Sequence, residues 1–464
     1  MFRAIFFALL LLSCTSSSHN NLLEKLKDYE GLYEYVNGTT LTLQSSPPDT
    51  TLYAIIDGAK YPLYHHKADT FLNNQKDKVV FNRDANQQVF SYSVDGSGFG
   101  LLSKEFERVE MEPRSEIAND PNRYKYQIPS EINDGLQVGD LNNKFEKPEL
   151  IIEMVRNTIA YDYPDVHSTL IYKNDKLILE EYFYGYDAST PHQLRSATKV
   201  LYGTLLGIAI DKGFLKNENE LILPYFQEDY KTIKNLDDRK RKITIKDFLT
   251  YQHGMDCQNN NPSSKGNELT MMQSDDWVKY TLDLPMVSEP GKSSSYCTGI
   301  ALTIGKLIEK VTEQDLETFA KENLFDKLGI ENYSWRFAPD SSSRTTFSQK
   351  SLTSREMIKW ALLYKNKGKW NGEQIISEDW VDKSFSTYGS GEFGYLWEHK
   401  YIMVDGKRFD SFMASGNGGQ KINIWLELDM ITVFTGGNYN SYMLYGVSTP
   451  PNRMIPNYIL KATL

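Results

Sequence analysis

From Leu194 to Gly213 the chain reads as a helix meant for a protein interior. Leu201, Leu205, Ile208 and Ala209 recur at helical spacing before Asp211-Lys212-Gly213 ends the run. Its first turn nonetheless carries Ser196-Ala197-Thr198-Lys199, so a hydroxyl and an amine three residues apart share one face. A serine hydroxyl is a poor nucleophile at neutral pH and needs a neighbouring base. A lysine can serve only where its surroundings hold it partly neutral. At a helix start the Ser196 N–H has no intrahelical partner and can point at a developing oxyanion, helped by the positive end of the helix. A surface serine capping an amphipathic helix would show the same four residues, and roughly two such matches arise by chance in a chain of this size. This chain contains one.

Two further segments bear on the choice. Residues 289–310 read Glu-Pro-Gly-Lys-Ser-Ser-Ser-Tyr-Cys-Thr and then an amphipathic helix, so a turn and a Tyr296-x-Thr298 element precede a helix start. Near the C-terminus Ala414-Ser415-Gly416-Asn417-Gly418-Gly419-Gln420 runs into a strand over Lys421–Leu426, and a second strand follows Asp429 and ends at Thr435-Gly436-Gly437-Asn438. A glycine-rich edge entering a strand lets a substrate approach the backbone closely.

In this order the three elements resemble the serine hydrolases of the class C β-lactamase and penicillin-binding-protein type, over about residues 150–464. Thr244–Met255 is similar to the loop beside the active site in that family, and Phe393-Gly394-Tyr395-Leu396-Trp397 adds a further match. The resemblance implies an acyl-enzyme on Ser196, with Lys199 as base partner and Tyr296 as the phenol that relays a proton to the leaving group and later helps activate water. It implies an oxyanion hole from the N–H groups of Ser196 and Gln420, with Thr298, Asn417, Gly418 and Gly419 lining the substrate. Two departures concern the substrate. Tyr296-Cys297-Thr298 stands where the family commonly has Tyr-x-Asn, and Asn417 stands where its third motif usually begins with Lys or His. A β-lactam carboxylate thus lacks a cation that would help hold it, whereas acyl transfer does not need that group. The implied substrate is an ester, amide or D-amino-acid peptide; the alternative is a catalytically slow penicillin-binding or sensing protein of the cell envelope.

The implied fold is α+β: a β-lactamase/transpeptidase-like mixed antiparallel sheet with flanking helices and a helical lobe. A helix at 148–160 and a hairpin of Ser168–Tyr172 and Leu177–Phe183, turned at Asn174-Asp175, open it. Ahead of it, residues 29–107 read as a small antiparallel β-sheet or barrel. Tyr33 and Tyr35, Leu41 and Leu43, Val79–Phe81, and Phe90, Tyr92 and Val94 form short strand-like runs, with turns at Asn37-Gly38, Asp57-Gly58 and Asp95-Gly96. The segment resembles the lipocalin-like β-domains often attached to such hydrolases, and its alternation reads as core. The expected division is signal and tether 1–20, β-domain 21–107, a proline-punctuated connector 108–149 that partly wraps the hydrolase, and hydrolase 150–464.

Arg3 and the apolar run Ala4–Leu12 are too short to span a bilayer but suit a signal peptide. Leu11-Leu12-Ser13-Cys14 resembles a bacterial lipoprotein site, with Cys14 the lipidated residue and Thr15–Ser18 a tether; an ordinary cleaved signal is the alternative. Either places the mature chain outside the cytoplasm, anchored to the envelope membrane through a lipid or free in the periplasm or medium. There, the resemblance brings Cys257 and Cys297 into neighbouring segments, and oxidising surroundings favour a disulfide over two separate buried thiols. A formal charge of −10, with Arg239-Lys240-Arg241-Lys242 as the one basic cluster and read as a solvated loop, argues against nucleic acid. Seven scattered histidines without an HxH or HxxxH pair, and three cysteines, argue against a metal or other cofactor. His253 reads as a polar rim or loop residue.

Overall fold

The computed structural model describes residues 24–34, 40–46, 50–56, 59–74, 76–95, 105–109, 113–259, 261, 263–335, 350–438 and 449–464. The signal-like run and Cys14 lie outside these residues, as do Tyr35, Asn37-Gly38, Asp57-Gly58 and Gly96. The chain divides into two compact units, the first of Met1–Glu112 with Asn438–Thr449 and the second of Pro113–Gly437 with Pro450–Leu464, so the second is not the unbroken 150–464 expected.

The first unit is a closed antiparallel barrel. Its strands are β1 (Gly31–Glu34), β2 (Thr40–Ser46), β3 (Thr51–Ile56), β4 (Ala59–Lys67), β5 (Thr70–Leu72), β6 (Lys78–Arg83), β7 (Val89–Asp95) and β8 (Glu105–Val109). Each pairs with the next, and β8 returns to β1 at Leu32↔Val109 and Tyr33↔Arg108. Tyr29, Tyr33, Phe71, Phe81, Tyr92 and Phe106 fill the interior, with ring centroids 4.9 to 6.2 Å apart. Alternating side chains thus make a packed core. Phe90 departs from the expected alternation and is 42% exposed. The β6–β7 register jumps from Asn82↔Ser91 to Arg83↔Val89, so Phe90 is the extra residue of a bulge and turns outward.

The second unit is built on a six-stranded sheet of β9 (Val166–Lys173), β10 (Lys176–Tyr182), β11 (Glu398–Val404), β12 (Lys407–Gly416), β13 (Gln420–Trp425) and β14 (Met430–Gly436). The strand order is β10-β9-β14-β13-β12-β11, antiparallel at every pair. Because side chains alternate across a strand, Ile422 and Ile424 face one core and Trp425 the other. On the Trp425 side packs α1 (Pro148–Ile159), which begins on proline and buries Ile151, Met154, Val155 and Ile159 at helical spacing. On the other side lie α2 (Thr198–Asp211), α3 (Thr298–Thr312) and α4 (Ser354–Lys365). Helix α2 is buried from Thr198 to Ala209, as a helix apolar all round must be. Its sheet-side neighbour α4 starts with a Thr353/Glu356 capping box and buries Arg355, whose guanidinium binds Glu180 (2.7 and 2.6 Å) and Asp134 (3.0 Å).

Residues 113–147 run along β10: Tyr124 Oη donates to Glu181 (2.5 Å), Tyr126 Oη to the Ile178 carbonyl (3.0 Å), and Arg114 pairs with Glu181. The basic cluster is not a solvated loop throughout. Lys240 is fully buried, and its ammonium donates to the carbonyls of Lys234, Leu282 and Leu284 at 2.9, 2.8 and 2.6 Å, while burial lowers its pKa to about 8. Three carbonyls replace the water that such a group would otherwise keep.

Candidate active site

The chain enters α2 through a single 3₁₀ turn, Arg195–Ala197. Arg195 has φ +52°, a left-handed value that a side chain rarely adopts, so the backbone swings sharply before Ser196. The turn is held from both sides: Leu194 N–H donates to the Lys350 carbonyl (2.7 Å), and Ala197 N–H to that of Leu194 (3.2 Å). The end of β12 runs against it so closely that a Cβ at Gly416 would lie 2.2 Å from the Leu194 oxygen. Only glycine permits that approach. One helical turn on, Lys199 Nζ donates to Ser196 Oγ at 2.8 Å; the lysine is 1% exposed, whereas Ser196 is partly open.

Lys199 Nζ also lies 4.9 Å from the centre of the Tyr296 ring. That ring packs beside Tyr251 (5.2 Å) and Phe393 (6.3 Å), which touch each other at 4.8 Å. The stretch before Tyr296 is strapped to the loop at Tyr251–Gly254 by Ser295 N–H to Tyr251 O (2.8 Å), Gly291 N–H to Gln252 O (2.8 Å) and Val287 N–H to Gly254 O (2.8 Å). His253 completes the strap and is not at the rim. Fully buried, it donates from Nε2 to Ser295 O (2.9 Å) and accepts the Met255 N–H at Nδ1 (3.0 Å), and burial drives its pKa down to about 4. A neutral imidazole with both nitrogens engaged is a strut.

Cys257 and Cys297 form a disulfide with Cα atoms 5.5 Å apart. Thr298, expected to face substrate, is 1% exposed and engaged elsewhere. Its hydroxyl accepts from Asn259 Nδ2 (2.5 Å) and donates to Glu268 (3.2 Å), and its N–H donates to Asn259 Oδ1 (2.8 Å). A hydroxyl is too short to reach past the helix start, so it stays beneath the site. Asn259 and Glu268 were not foreseen, because nothing in local spacing links them to Tyr296.

At the third edge, Gly418 and Gly419 have φ +99° and +100°, the conformation that turns β12 into β13 and that favours glycine. Gln420 uses its side chain as a peptide mimic: Nε2 donates to Gly436 O (2.8 Å) and Asn417 O (3.1 Å), and Oε1 accepts Gly436 N–H (3.0 Å). That locks the start of β13 to the end of β14. Asn417 stays partly open on the turn. The adjacent Lys421 points to the opposite face, its Nζ 3.4 Å from Met413 Sδ. A further buried pair stands behind this edge. His192 Nδ1 donates to Gln193 O (3.2 Å), leaving its Nε2 to accept from His167 Nδ1 (2.9 Å).

The Beta-lactamase family model matches residues 164–446. A curated relative, the acyltransferase mokF of Monascus pilosus, is 28% identical over an alignment of 172 residues that covers 33% of this chain and 41% of that protein's length. Among solved structures, a family VIII carboxylesterase superposes with a TM-score of 0.53 at 13% identity, over 72% of this chain and all (100%) of that one. A β-lactamase/D-alanine carboxypeptidase from Pseudomonas syringae gives 0.50 at 16%, over 68% and 98%. At such identities the structural likeness is one of fold.

Proposed function

The chain belongs to the Beta-lactamase family, a fold family of serine hydrolases, and from that premise we propose that it is an exported hydrolase working through an acyl-enzyme on Ser196. Lys199 takes the Ser196 proton as Oγ attacks a carbonyl carbon. The oxyanion is met by the N–H groups of Ser196 and Gln420 at the turn where Gly416 keeps the two segments close. Tyr296 protonates the leaving group, and the same pair then activates the water that frees the acid. The observation that carries this is the 2.8 Å hydrogen bond from a buried Lys199 to a partly open Ser196, beside the Tyr296 ring. The substrate is a small ester, amide or D-amino-acid peptide, and Cys14 anchors the protein to the envelope membrane through a lipid.

Intact-mass measurement during turnover of a nitrophenyl ester should catch a transient acyl adduct on the wild type and none on Ser196→Ala, whose kcat should fall roughly 10³-fold or more. Near-normal turnover by Ser196→Ala would falsify the proposal. Cys14→Ala should release the protein from membranes; unchanged membrane retention would remove the anchor.

A further inference from the structure

Helix α3 begins just after Tyr296, and its N-cap position is Cys297, whose side chain makes no capping hydrogen bond. The sulfur is committed to the disulfide with Cys257. The first N–H groups of a helix need acceptors, and here one is supplied from another segment. Asn259, two residues past the partner cysteine, accepts the Thr298 N–H at Oδ1 (2.8 Å), and its Nδ2 donates to Thr298 Oγ1 (2.5 Å) and Glu268 Oε2 (2.9 Å). Because Oδ1 must accept an N–H, the amide has one orientation, and the Thr298 hydroxyl then has Glu268 (3.2 Å) as its acceptor. The backbone of the same residue completes the grip: Asn259 N–H donates to the Tyr296 carbonyl at 2.9 Å. Asn259 is 7% exposed with its amide fully used, so it has nothing left to offer a substrate.

Tyr296 is thus held at its own carbonyl and at the two residues that follow it. The ring is held by packing, against Tyr251 and Phe393 and beneath Lys199. We infer that Asn259 is a positioning residue for Tyr296, oriented in turn by Glu268, and that it acts on leaving-group protonation rather than on Ser196. This rests on the acyl-enzyme reading above. A shift of about 1 Å in a reacting group costs roughly 10²-fold, so the cap is well placed to matter without touching substrate.

Leaving-group dependence tests it. A nitrophenolate departs unaided, whereas an alkoxide needs a proton, so the ratio of kcat/KM for a nitrophenyl ester to that for an ethyl ester of the same acid reports on the Tyr296 proton. Tyr296→Phe should raise this ratio. Asn259→Ala, which keeps the backbone N–H, should raise it in the same sense by roughly 10- to 100-fold while fluorophosphonate still labels Ser196. Asn259→Ala added to Tyr296→Phe should change the ratio no further. Thr298→Val removes the hydroxyl from the other side of the knot and should give the same selective loss if Asn259→Ala folds poorly. A general loss on both esters, or an additive double mutant, overturns the positioning role while leaving the acyl-enzyme intact. An unchanged ratio in Tyr296→Phe overturns the Tyr296 proton role and the positioning role with it, and the Ser196→Ala adduct measurement then decides the acyl-enzyme separately.

Discussion

Asn417 puts an amide where the hydrolases that this chain resembles commonly carry a cation, and Lys421 does not replace it, because its ammonium lies on the other face beside Met413. A substrate carboxylate there forgoes a charge-assisted hydrogen bond, typically worth about 1.5–3 kcal/mol, or roughly ten- to hundredfold in affinity. Short-chain nitrophenyl esters should therefore be turned over well and chromogenic cephalosporins poorly, with Asn417→Lys improving kcat/KM for the cephalosporin. A wild type that prefers the cephalosporin, with no gain from the lysine, would contradict this. Single residues were legible in the sequence where chemistry is local. Ser196 and Lys199 stand three residues apart at a helix start, a spacing that puts their side chains next to each other, and the structure has them 2.8 Å apart. Lys240 and Thr298 depart from expectation, and His253 is a loop residue but a buried one, because each is satisfied by partners far along the chain: carbonyls at 282 and 284 for Lys240, the amide of Asn259 for Thr298, and the carbonyl of Ser295 for His253. Composition describes a side chain's cost in isolation, and only tertiary contacts reveal what offsets it.

Elements were legible where periodicity is strong. Helix α1, the β9–β10 hairpin and the two C-terminal strands fall within about two residues of their expected bounds, since apolar spacing, capping residues and turn residues all agree there. What sequence could not supply is how tightly two elements meet, and Gly416 and the Cys257–Cys297 bridge depend on that. A methyl group at Gly416 would press on the Leu194 carbonyl at 2.2 Å, so either β12 retreats or the nucleophile turn moves. Gly416→Ala should then lower kcat roughly 10²-fold or more and slow fluorophosphonate labelling of Ser196 alike; wild-type labelling would mean that the turn tolerates the strain. The bridge joins residues with a sequence separation of 40, and a loop of that size is stabilised by roughly 2–4 kcal/mol in the chain-entropy picture. Cys257→Ser/Cys297→Ser should lower the urea midpoint accordingly. Non-reducing peptide maps of the purified protein should recover the linked pair, and free thiols at both positions would rule it out.

On the scale of the whole molecule, the response to acid is concentrated in buried histidines of the second unit. The hydrolase unit buries His167, His192 and His253 without their charge. Burial lowers His192 and His253 to about 4 and His167 well below its ordinary value. Above about pH 6.5 these histidines are neutral folded or unfolded, and contribute no pH dependence. Below it the unfolded chain binds protons that the folded chain refuses, so stability falls with pH down to about 4, where His192 and His253 begin to charge in place. Each of those two can remove roughly 3 kcal/mol across the window, a large part of a typical stability of about 5–15 kcal/mol. Asp165 and Glu181 oppose the trend, since burial raises their pKa values and the folded unit takes up their protons first. Against burial, hydrogen bonds hold Glu218 and Glu220 below their ordinary values, and these two work in the same direction as the imidazoles. All seven tryptophans lie between Trp277 and Trp425, so their fluorescence follows the hydrolase unit and not the barrel. Urea titrations by tryptophan emission should show a midpoint that drops steadily from pH 7 to 4.5. His253→Gln should flatten the dependence near pH 5 by about 1.4 kcal/mol per pH unit, the weight of one proton. A midpoint that holds level across that range, or a slope that His253→Gln leaves untouched, would mean that the buried imidazoles accept protons in place and that the strut beside Tyr296 survives being charged.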